Sequence, residues 1–573
     1  MEKEMVVKLA DNIYSPLGAT TLENYQAVIS GKCALKQYSL PDGSLYTASL
    51  FPEMVRHDDE EYTFFEHLCI ISASDAIARA GIDATSTRCR FFLSTTKGNV
   101  HLLAKGETER ALLGTSAAII CRHFGNPNPP VVVSNACISG LSAQIAAMRS
   151  IEAGLCDTAV VIGCDVQSEF IISGFQCLHA LTPDECRPFN KDRCGLNLGE
   201  AAATIVYSNS PLSTPHSQLS WQAVTGAMCN DANHISGPSR TGEGSYRCLQ
   251  ALDLNKDKIA FVSVHGTSTL YNDEMESIAI DRAGLADVPL FSLKGIYGHT
   301  MGAAGVLETI LSMQAIEHGM VFGTRGYHEL GVSRQVNISA DNRTTDKHSF
   351  VKLLSGFGGC NAAMLFEQVN TSSSQQVVKS SSHQNNISTD EHILSLRLDT
   401  SAEELVELYR AHVGDYPKFF KMDPLSRLGF VASELLLKEI SSNPASQQSN
   451  NQLGVLLFNR SSSLADDNAF QATIQDRSNW FPSPALFVYT LPNIVTGEIA
   501  IRNHFQTETN FMVLDAPHTD IMAEQIALAA QRGPQLSGWC DVDADGHYLA
   551  ALIAVPQHTS KETIQQELNK ILK

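Results

Sequence analysis

Three residues suited to nucleophilic catalysis follow strand-like runs in this sequence. Cys137 comes shortly after the β-branched run 131–133 and just before a helical pattern. His265 ends the run 258–264, and His299 follows another such run. A thiol at the N-terminal end of a helix faces unpaired backbone N–H groups and the positive end of the helix dipole, which favour the thiolate. The pattern predicts a catalytic Cys-His-His cluster at three strand ends.

A thiolate that attacks a carbonyl also needs a site for the oxyanion. The segment 355–361, Ser-Gly-Phe-Gly-Gly-Cys-Asn, places glycines around Phe357 and predicts a mobile loop with exposed N–H groups, suited to gating and to an oxyanion hole. Lys294 precedes His299 by five positions and is expected to reach the same pocket. A single histidine or a glycine-rich turn is more often structural, so the prediction rests on their occurrence together.

The elements that position these residues alternate between strand and helix patterns over residues 1–368, which predicts an α/β fold with largely buried sheets. Expected helices include Phe65–Ala80, Gly140–Ala153 and Asp273–Gly284. Expected strands include Thr158–Gly163, Ala202–Tyr207 and Lys258–Val264.

The composition bounds the class of protein. With 573 residues, 43% hydrophobic and 18% charged, the chain is typical of a soluble enzyme with several domains or one large duplicated domain. A net charge of −20 argues against general nucleic-acid binding. The 14 cysteines lack zinc-ligand spacing and indicate a reducing compartment. Neither a membrane-spanning run nor a signal peptide is expected, which predicts a cytoplasmic protein.

A Ser/Gln/Asn-rich segment, 369–390, predicts a flexible linker before a second α/β region, 391–573. This region echoes the first in order: 512–517 mirrors 132–137, Gln525 mirrors Gln144, and 539–542 mirrors 163–166. Pro517 falls at the position of Cys137. We interpret 391–573 as a degenerate half-copy without the nucleophile, the alternative being an unrelated α/β domain with coincidental matches.

Several motifs in 1–368 occur in the order found in one enzyme family. They are Asn135-Ala136-Cys137, Cys186 to Arg193 (Cys-Arg-Pro-Phe-Asn-Lys-Asp-Arg), Asp231-Ala232-Asn233-His234, His265-Gly266-Thr267-Ser268-Thr269, Lys294 with Gly298-His299, and Gly356 to Asn361 (Gly-Phe-Gly-Gly-Cys-Asn). Together they resemble the β-ketoacyl-[acyl carrier protein] synthases, in particular the type II elongating Cys-His-His branch. The resemblance implies a thiolase-like, duplicated α-β-α-β-α five-layer fold, with halves at about 1–212 and 213–368.

The resemblance also implies a role for each matching residue. Cys137 would carry the acyl chain as a thioester, and His265 and His299 would bind the malonyl thioester and promote its decarboxylation. Lys294, paired with Glu276, would organise the site electrostatically. The remaining expected site residues are Cys137, Phe357 and Gly358 for the oxyanion hole and gate, Thr267 and Thr269 for pantetheine, and Glu276, Asp231 and Asn361 for support.

The implied reaction is the condensation of an acyl group with malonyl-[acyl carrier protein], in fatty acid or polyketide synthesis, including polyene or aryl-primed products. No metal and no redox cofactor is expected, since the substrates are carried on the phosphopantetheine of acyl carrier protein. Alternatives are a malonyl decarboxylase, a starter-unit acyltransferase, or a non-catalytic subunit resembling a chain-length factor. The C-terminal region would be a truncated relative of such a factor or a structural appendage.

The resemblance also predicts which proteins this chain binds, and the sequence departs from the family pattern at Ser355. The family forms a two-fold dimer across the edge strand near the nucleophile, so a homodimer or a heterodimer with a similar subunit is expected. Acyl carrier protein is acidic, and its candidate docking residues are Arg56, Lys105, Arg110 and Arg149. Ser355 replaces the usual aromatic and is expected to enlarge the acyl pocket, with neutral drift as the alternative.

Overall fold

The computed structural model describes residues 5–209, 219–370, 393–442 and 452–573. The strands are β1 Val7–Tyr14, β2 Leu35–Ser39, β3 Leu45–Ser49, β4 Cys89–Ser94, β5 Val131–Val133, β6 Thr158–Asp165, β7 Leu198–Gly199, β8 Ala201–Ser208, β9 Leu219–Asn230, β10 Ile259–Ser263, β11 Pro289–Phe291, β12 Met320–Val321, β13 Asn337–Ile338, β14 Arg343–Thr344, β15 Ser349–Gly356, β16 Cys360–Asn370, β17 Leu394–Thr400, β18 Gly454–Asn459, β19 Thr509–Val513, β20 Gln535–Val542 and β21 Tyr548–Val555.

The helices alternate with these strands. They are α1 Thr21–Ile29, α2 Phe64–Ala80, α3 Thr108–Ala111, α4 Leu113–His123, α5 Ser139–Glu152, α6 Glu169–Cys177, α7 Glu243–Ala251, α8 Leu270–Arg282, α9 Lys294–Tyr297, α10 Ala304–Glu317, α11 Ala402–His412, α12 Pro424–Ser442, α13 Leu464–Gln475, α14 Pro484–Tyr489, α15 Ile494–Asn503, α16 Thr519–Ala530 and α17 Lys561–Ile571.

Local capping explains where the predicted elements begin and end. The helix predicted over Phe65–Ala80 is α2, which starts at a capping box of Thr63 and Glu66. The helix predicted over Asp273–Gly284 begins earlier, at Leu270, because the Thr269 side chain accepts a hydrogen bond from the N–H of Asn272. The predicted linker overlaps β16 at residues 369–370, and 371–390 lie outside the described residues.

One strand arrangement occurs three times in the large sheet. If the strands of each group are numbered along the chain, each group has the spatial order third, second, fourth, fifth, first. The groups are β5-β4-β6-β8-β1, β11-β10-β15-β16-β9 and β19-β18-β20-β21-β17. In each group the first two pairings are parallel and the last two antiparallel. The third group belongs to the C-terminal unit, which is the name used here for the described residues of 393–573.

Two buried helices form the middle layer between the first two strand groups. α5 contacts β6 of the first group and β9 of the second, and α10 contacts β8 and β15. The two helices touch through glycines, since a Cβ on Gly140 would lie 3.0 Å from the Gly305 Cα and one on Gly305 would lie 2.4 Å from the Leu141 nitrogen. This central pair gives the expected five-layer, duplicated α/β architecture, so the fold-class prediction is confirmed.

The C-terminal unit joins the sheet at the strand that leads to Cys137. β19 pairs antiparallel with β5, with Met512 opposite Val133 and Val513 opposite Val132. The sequence echo matches Val132 to Met512 and Val133 to Val513. When each residue of one pair is replaced by its match, the other pair results. The junction therefore has a local two-fold relationship within one chain. The edge of β5, where a dimer was expected, is occupied by this chain's own strand.

The two parts also share buried contacts away from the strand junction. Arg149 donates to both carboxylate oxygens of Glu508 at 2.7 and 2.8 Å, and Arg90 pairs with Glu524. One hydrophobic cluster includes Val133 and Ile145 together with Met512 and Ile526. Within the described part of the chain, no helix combines the length and apolar character needed to cross a membrane.

Candidate active site

The strand-to-helix turn presents Cys137 at the start of α5. The chain leaves β5 at Val133, and Cys137 lies in a single 3₁₀ turn, Ala136–Ile138, that runs directly into α5. Ala136 has φ +48°, a left-handed conformation that is uncommon for alanine. The Ser139 hydroxyl fixes the turn, accepting from the Asn135 N–H at 2.8 Å and donating to the Ala136 carbonyl at 2.6 Å.

His265 follows β10 and is held by Glu276 of α8. The Glu276 carboxylate accepts the backbone N–H groups of His265 at 2.6 Å and of Gly266 at 2.8 Å. Lys294 instead pairs with Glu308 of α10. The expected pairing of Lys294 with Glu276 is therefore wrong, because Glu276 is engaged by the backbone that carries His265.

His299 faces His265 across the site. Its backbone N–H donates to the Asn197 carbonyl at 2.7 Å, and the two imidazole centroids lie 5.1 Å apart at 81°. The Met301 N–H donates to His299 Nδ1 at 3.3 Å, so the ring proton belongs on Nε2. That Nε2 is buried and has no hydrogen-bond partner among the described residues, which leaves a donor available for a substrate.

Cys137, His265 and His299 come together as predicted. One ligand atom from each, the sulfur and two ring nitrogens, lies within 4.8 Å of the others. Within the described ranges this is the one such group of histidine, cysteine or carboxylate side chains, and a Cys-His-His set suits Zn²⁺. It is equally suited to a nucleophile with two hydrogen-bond donors for a carbonyl.

Sequence reasoning missed two charged residues that adjoin this cluster. Lys352 on β15 is fully buried, and its Nζ lies 2.7 Å from Oε2 of Glu308, which also binds Lys294. Lys352 also donates to the Ser263 carbonyl at 2.9 Å, at the end of the strand that leads to His265. The available signals were a lysine in the apolar strand β15 and a glutamate inside the apolar helix α10.

Burial and the two lysines together keep the imidazoles neutral. Burial, followed by the charges of Lys294, His299 and Lys352, lowers the pKa of His265 well below 6.5. Burial and the same two lysines lower the pKa of His299 in the same way. At neutral pH each ring therefore has one N–H donor.

The thiol of Cys137 is not ionised in the unliganded site. Burial raises its pKa to about 12, although Lys294 and the backbone N–H groups of Cys137 and Phe357 act in the opposite direction. The expectation of a resting thiolate is wrong, because desolvation outweighs the helix N-terminus. The loop that carries Phe357 lies against this turn, since a Cβ on Gly356 would fall 3.1 Å from the Cys137 nitrogen.

A pocket of about 380 Å³ leads from the surface to the cluster. It is lined by Cys137, His265 and His299 together with Thr267 and Thr269, whose hydroxyls lie 3.0 Å apart. Behind Cys137 lies a second cavity of about 20 Å³, room for little more than one water molecule. Cys137, Phe175 and Phe357 line both cavities.

The supporting residues hold the loop that carries Phe357. The Asp231 N–H donates to the Gly359 carbonyl at 2.7 Å, and Asn361 Nδ2 donates to the same carbonyl at 3.0 Å. The Gly358 N–H donates to the Ile235 carbonyl at 2.6 Å, so it points away from Cys137. Gly358 therefore shapes the loop and does not supply an oxyanion donor.

Two further expectations, a pocket enlarged at Ser355 and the basic docking residues, stay predictions. Ser355 lines the outer pocket and donates to Asn361 Oδ1 at 2.7 Å, so it does not enlarge the cavity behind Cys137. None of the four basic docking candidates lines the pocket, and all form ion pairs: Arg56 with Glu200, Lys105 with Asp58, Arg110 with Glu66 and Arg149 with Glu508.

Comparisons with known proteins match the part of the chain that contains Cys137, His265 and His299. The model of the beta-ketoacyl synthase N-terminal domain matches residues 15–210, and that of the C-terminal domain matches 222–328, together more than half of the chain. Nodulation protein E of Rhizobium meliloti is 30% identical over 52% of this chain and 75% of its own length. The 3-oxoacyl-[acyl-carrier-protein] synthase 2 of Coxiella burnetii is 24% identical over 64% of this chain and all of its own.

A solved structure extends the likeness to the C-terminal unit. The structure titled PfaC Keto synthase-Chain length factor has a TM-score of 0.76, covering 96% of this chain and 78% of its own, at 13% identity. At that identity the likeness concerns the fold alone. It includes both the part that carries Cys137 and the C-terminal unit.

Proposed function

This chain belongs to the beta-ketoacyl synthase family, and we propose that it condenses an acyl group held on Cys137 with malonyl-[acyl carrier protein], releasing CO₂ and 3-oxoacyl-[acyl carrier protein]. The observation that carries this proposal is the approach of the Cys137 sulfur and the nitrogens of His265 and His299 to within 4.8 Å, at the inner end of an open pocket.

Acyl transfer is the first step. The Cys137 sulfur attacks the thioester carbonyl of the incoming acyl carrier protein, whose pantetheine sulfur leaves with the thiol proton. The new oxyanion is stabilised by the N–H groups of Cys137 and Phe357. These fixed donors lower the barrier although the resting thiol is neutral, since they favour the charge that develops during attack.

Decarboxylation and condensation follow. The bond to the malonyl carboxylate breaks, CO₂ leaves, and the electron pair forms an enolate whose oxygen is bound by His265 and His299. The His299 Nε2–H is free for this role because its Nδ1 accepts from Met301. The enolate carbon then attacks the acyl thioester, the bond to Cys137 breaks, and the released thiolate takes up a proton.

Lys294 acts through charge in this scheme. Together with Lys352 it keeps both imidazoles neutral, and Glu308 offsets the two buried ammonium groups. Thr267 and Thr269 would contact the pantetheine arm, since their hydroxyls line the outer pocket. Asp231, Glu276 and Asn361 would position the loops that carry Phe357 and His265.

We propose no metal or redox cofactor for the reaction, because every step above is supplied by the sulfur, the imidazoles and backbone N–H groups. A metal on the same three side chains would occupy the nucleophile and both donors. Acyl carrier protein is the proposed partner. The C-terminal unit would take the place of a chain-length-factor-like subunit, supported by its strand pairing with β5.

Incubation with acyl- and malonyl-carrier protein tests the function and separates it from its alternatives. Chain-extended product supports the condensing enzyme. Acetyl carrier without extension would indicate a decarboxylase, and transfer of the acyl group without extension would indicate a starter-unit acyltransferase. A protein that forms no adduct on Cys137 and consumes neither substrate would be a non-catalytic subunit.

A further inference from the structure

Asn493 of the C-terminal unit forms a hydrogen bond with the active-site loop. Asn493 lies immediately before α15, and its Nδ2 donates to the Phe357 carbonyl at 2.8 Å. The same nitrogen lies 3.7 Å from the sulfur of Cys360. Asn493 is only 1% exposed, so this contact is shielded from water.

The backbones of helix and loop also touch. A Cβ on Gly497, in the first turn of α15, would lie 2.6 Å from the Gly358 carbonyl oxygen. Gly358 has φ +88°, and a Cβ there would lie 2.6 Å from Asn493 Nδ2. Both glycines are required for this close approach, so the loop and the start of α15 fit against each other without space for a side chain.

The two following residues of the loop are held largely by residues of 1–368. Asn230 donates to the Gly358 carbonyl at 2.8 Å, and the Asp231 N–H donates to the Gly359 carbonyl at 2.7 Å. The Phe357 carbonyl differs, because its nitrogen donor comes from the C-terminal unit and its other contact is the weak donor Cys360 Sγ, at 3.2 Å.

The amide of Asn493 is itself only half satisfied. Its Oδ1 is buried and accepts no hydrogen bond from the described residues. An unpaired buried oxygen is unfavourable, so packing alone would be served better by an apolar side chain. Among the described residues, the hydrogen bonds of this side chain both come from Nδ2, to the Phe357 carbonyl and, more weakly, to Cys360 Sγ.

We propose that Asn493 is a positioning residue. By holding the Phe357 carbonyl it fixes the main chain on one side of the Phe357 Cα, and thereby the Phe357 N–H on the other side, which is the oxyanion donor directed at Cys137. The C-terminal unit then completes the active site instead of only covering a strand edge. The expected change in kcat rests on the proposed function. The expected change in the alkylation rate of Cys137 depends only on the position of the loop.

The test compares Asn493→Leu with Asn503→Leu in the full-length chain. Leucine keeps the approximate size of asparagine and removes the donor. Asn503 lies on the same helix and donates within the C-terminal unit, to Glu434 at 3.2 Å and to the Ile499 carbonyl at 3.1 Å. Each variant is assayed for kcat and KM with acyl- and malonyl-carrier protein, for melting temperature, and for the rate of Cys137 alkylation by iodoacetamide.

For Asn493→Leu we expect kcat about 10- to 100-fold lower, since a displaced oxyanion donor costs somewhat less than a deleted one. KM and melting temperature should match those of the control variant. Alkylation of Cys137, followed by peptide mass spectrometry, should also slow, because the loop N–H that favours the thiolate is displaced. A kcat and an alkylation rate equal to the control's would overturn the proposal.

Two safeguards keep the outcome decisive. If Asn493→Leu does not fold, Gly497→Ala serves instead, since its Cβ would push α15 away from Gly358 and should lower kcat and the alkylation rate in the same way. If the wild-type chain shows no condensation, the proposed function fails. The alkylation rates still decide whether Asn493 positions the loop.

Discussion

Lys352 and Glu308 form a buried ion pair, with 2.7 Å between Nζ and Oε2. Neither residue lies at a strand end or in a glycine-rich turn, yet their charges adjoin the catalytic cluster. Lys294 binds the other oxygen of Glu308. Burial raises the pKa of Glu308, but the two lysines outweigh it and the net shift is downward. One carboxylate thus compensates two ammonium groups.

Replacing Glu308 with glutamine should destabilise the protein strongly. The substitution leaves Lys294 and Lys352 buried beside each other without a counter-charge, a change expected to cost about 3–5 kcal/mol of unfolding free energy. Denaturant unfolding measures this loss, with Glu407→Gln on the exposed face of α11 as the control. Equal stability of the two variants would contradict the assigned ion-pair cluster.

Malonyl decarboxylation should not depend on a histidine titration near pH 6.5. The pKa values of His265 and His299 lie well below 6.5, so both rings stay neutral as the pH falls through that value. Protonation of His299 would place an Nδ1–H opposite the Met301 N–H and break the hydrogen bond between them. Because the pKa of His299 is lowered, this loss of activity is expected only at a pH well below 6.5.

Glu276, which accepts the His265 and Gly266 N–H groups, titrates in this range, because burial raises its pKa to about 7. In the Cys137→Ala/Glu276→Gln double variant, the residual decarboxylation rate should therefore stay constant from about pH 8 to 6. A half-maximal rate near 6.5 in this double variant would contradict the lowered histidine pKa values.

Phe487 should limit the length of the acyl chain on Cys137. It lines the cavity of about 20 Å³ behind the sulfur, and its ring lies so close to Gly174 that a Cβ there would fall 2.0 Å from it. Phe487→Ala should raise the acylation rate with longer acyl-carrier proteins, relative to short ones, by about tenfold.

Phe505→Ala is the matched control, because Phe505 is equally buried in the C-terminal unit but does not line this cavity. Acyl-length profiles from competition assays compare the two variants. An unchanged profile in Phe487→Ala would mean that the acyl chain does not enter the cavity behind Cys137.

Zn²⁺ should inhibit the enzyme. The three donor atoms of Cys137, His265 and His299 suit a zinc ion, which would block the nucleophile. Activity should fall on addition of Zn²⁺, return with chelator, and be unaffected by chelator alone. Loss of activity on chelation, restored by a metal, would instead assign a metal-dependent reaction.

Much of the catalytic cluster could be predicted from sequence because local patterns encode it. A β-branched run that stops at Cys137 and two runs that end near His265 and His299 place all three at strand ends, and α/β topology brings such ends together. The five-layer fold was implied by the family resemblance. The echo of 132–137 in 512–517 predicted a related C-terminal unit, but not the pairing of its strand with β5.

The remaining features depend on contacts distant in sequence. The neutrality of the Cys137 thiol results from burial, which no local pattern around the residue shows. Glu276 was assigned to Lys294, whereas it binds the His265 and Gly266 backbone. Asn493 contacts a loop 136 residues earlier in the chain, and the strand that covers β5 comes from the same chain and not from a second copy.

Mass spectrometry of Cys137 during turnover tests the account most directly. After incubation with acyl-carrier protein, the peptide that carries Cys137 should gain the mass of the acyl group, and added malonyl-carrier protein should remove it as a product two carbons longer. Cys137→Ala should form neither species. An acyl group on another residue, or an acyl-Cys137 that malonyl-carrier protein leaves in place, would contradict the proposed condensation.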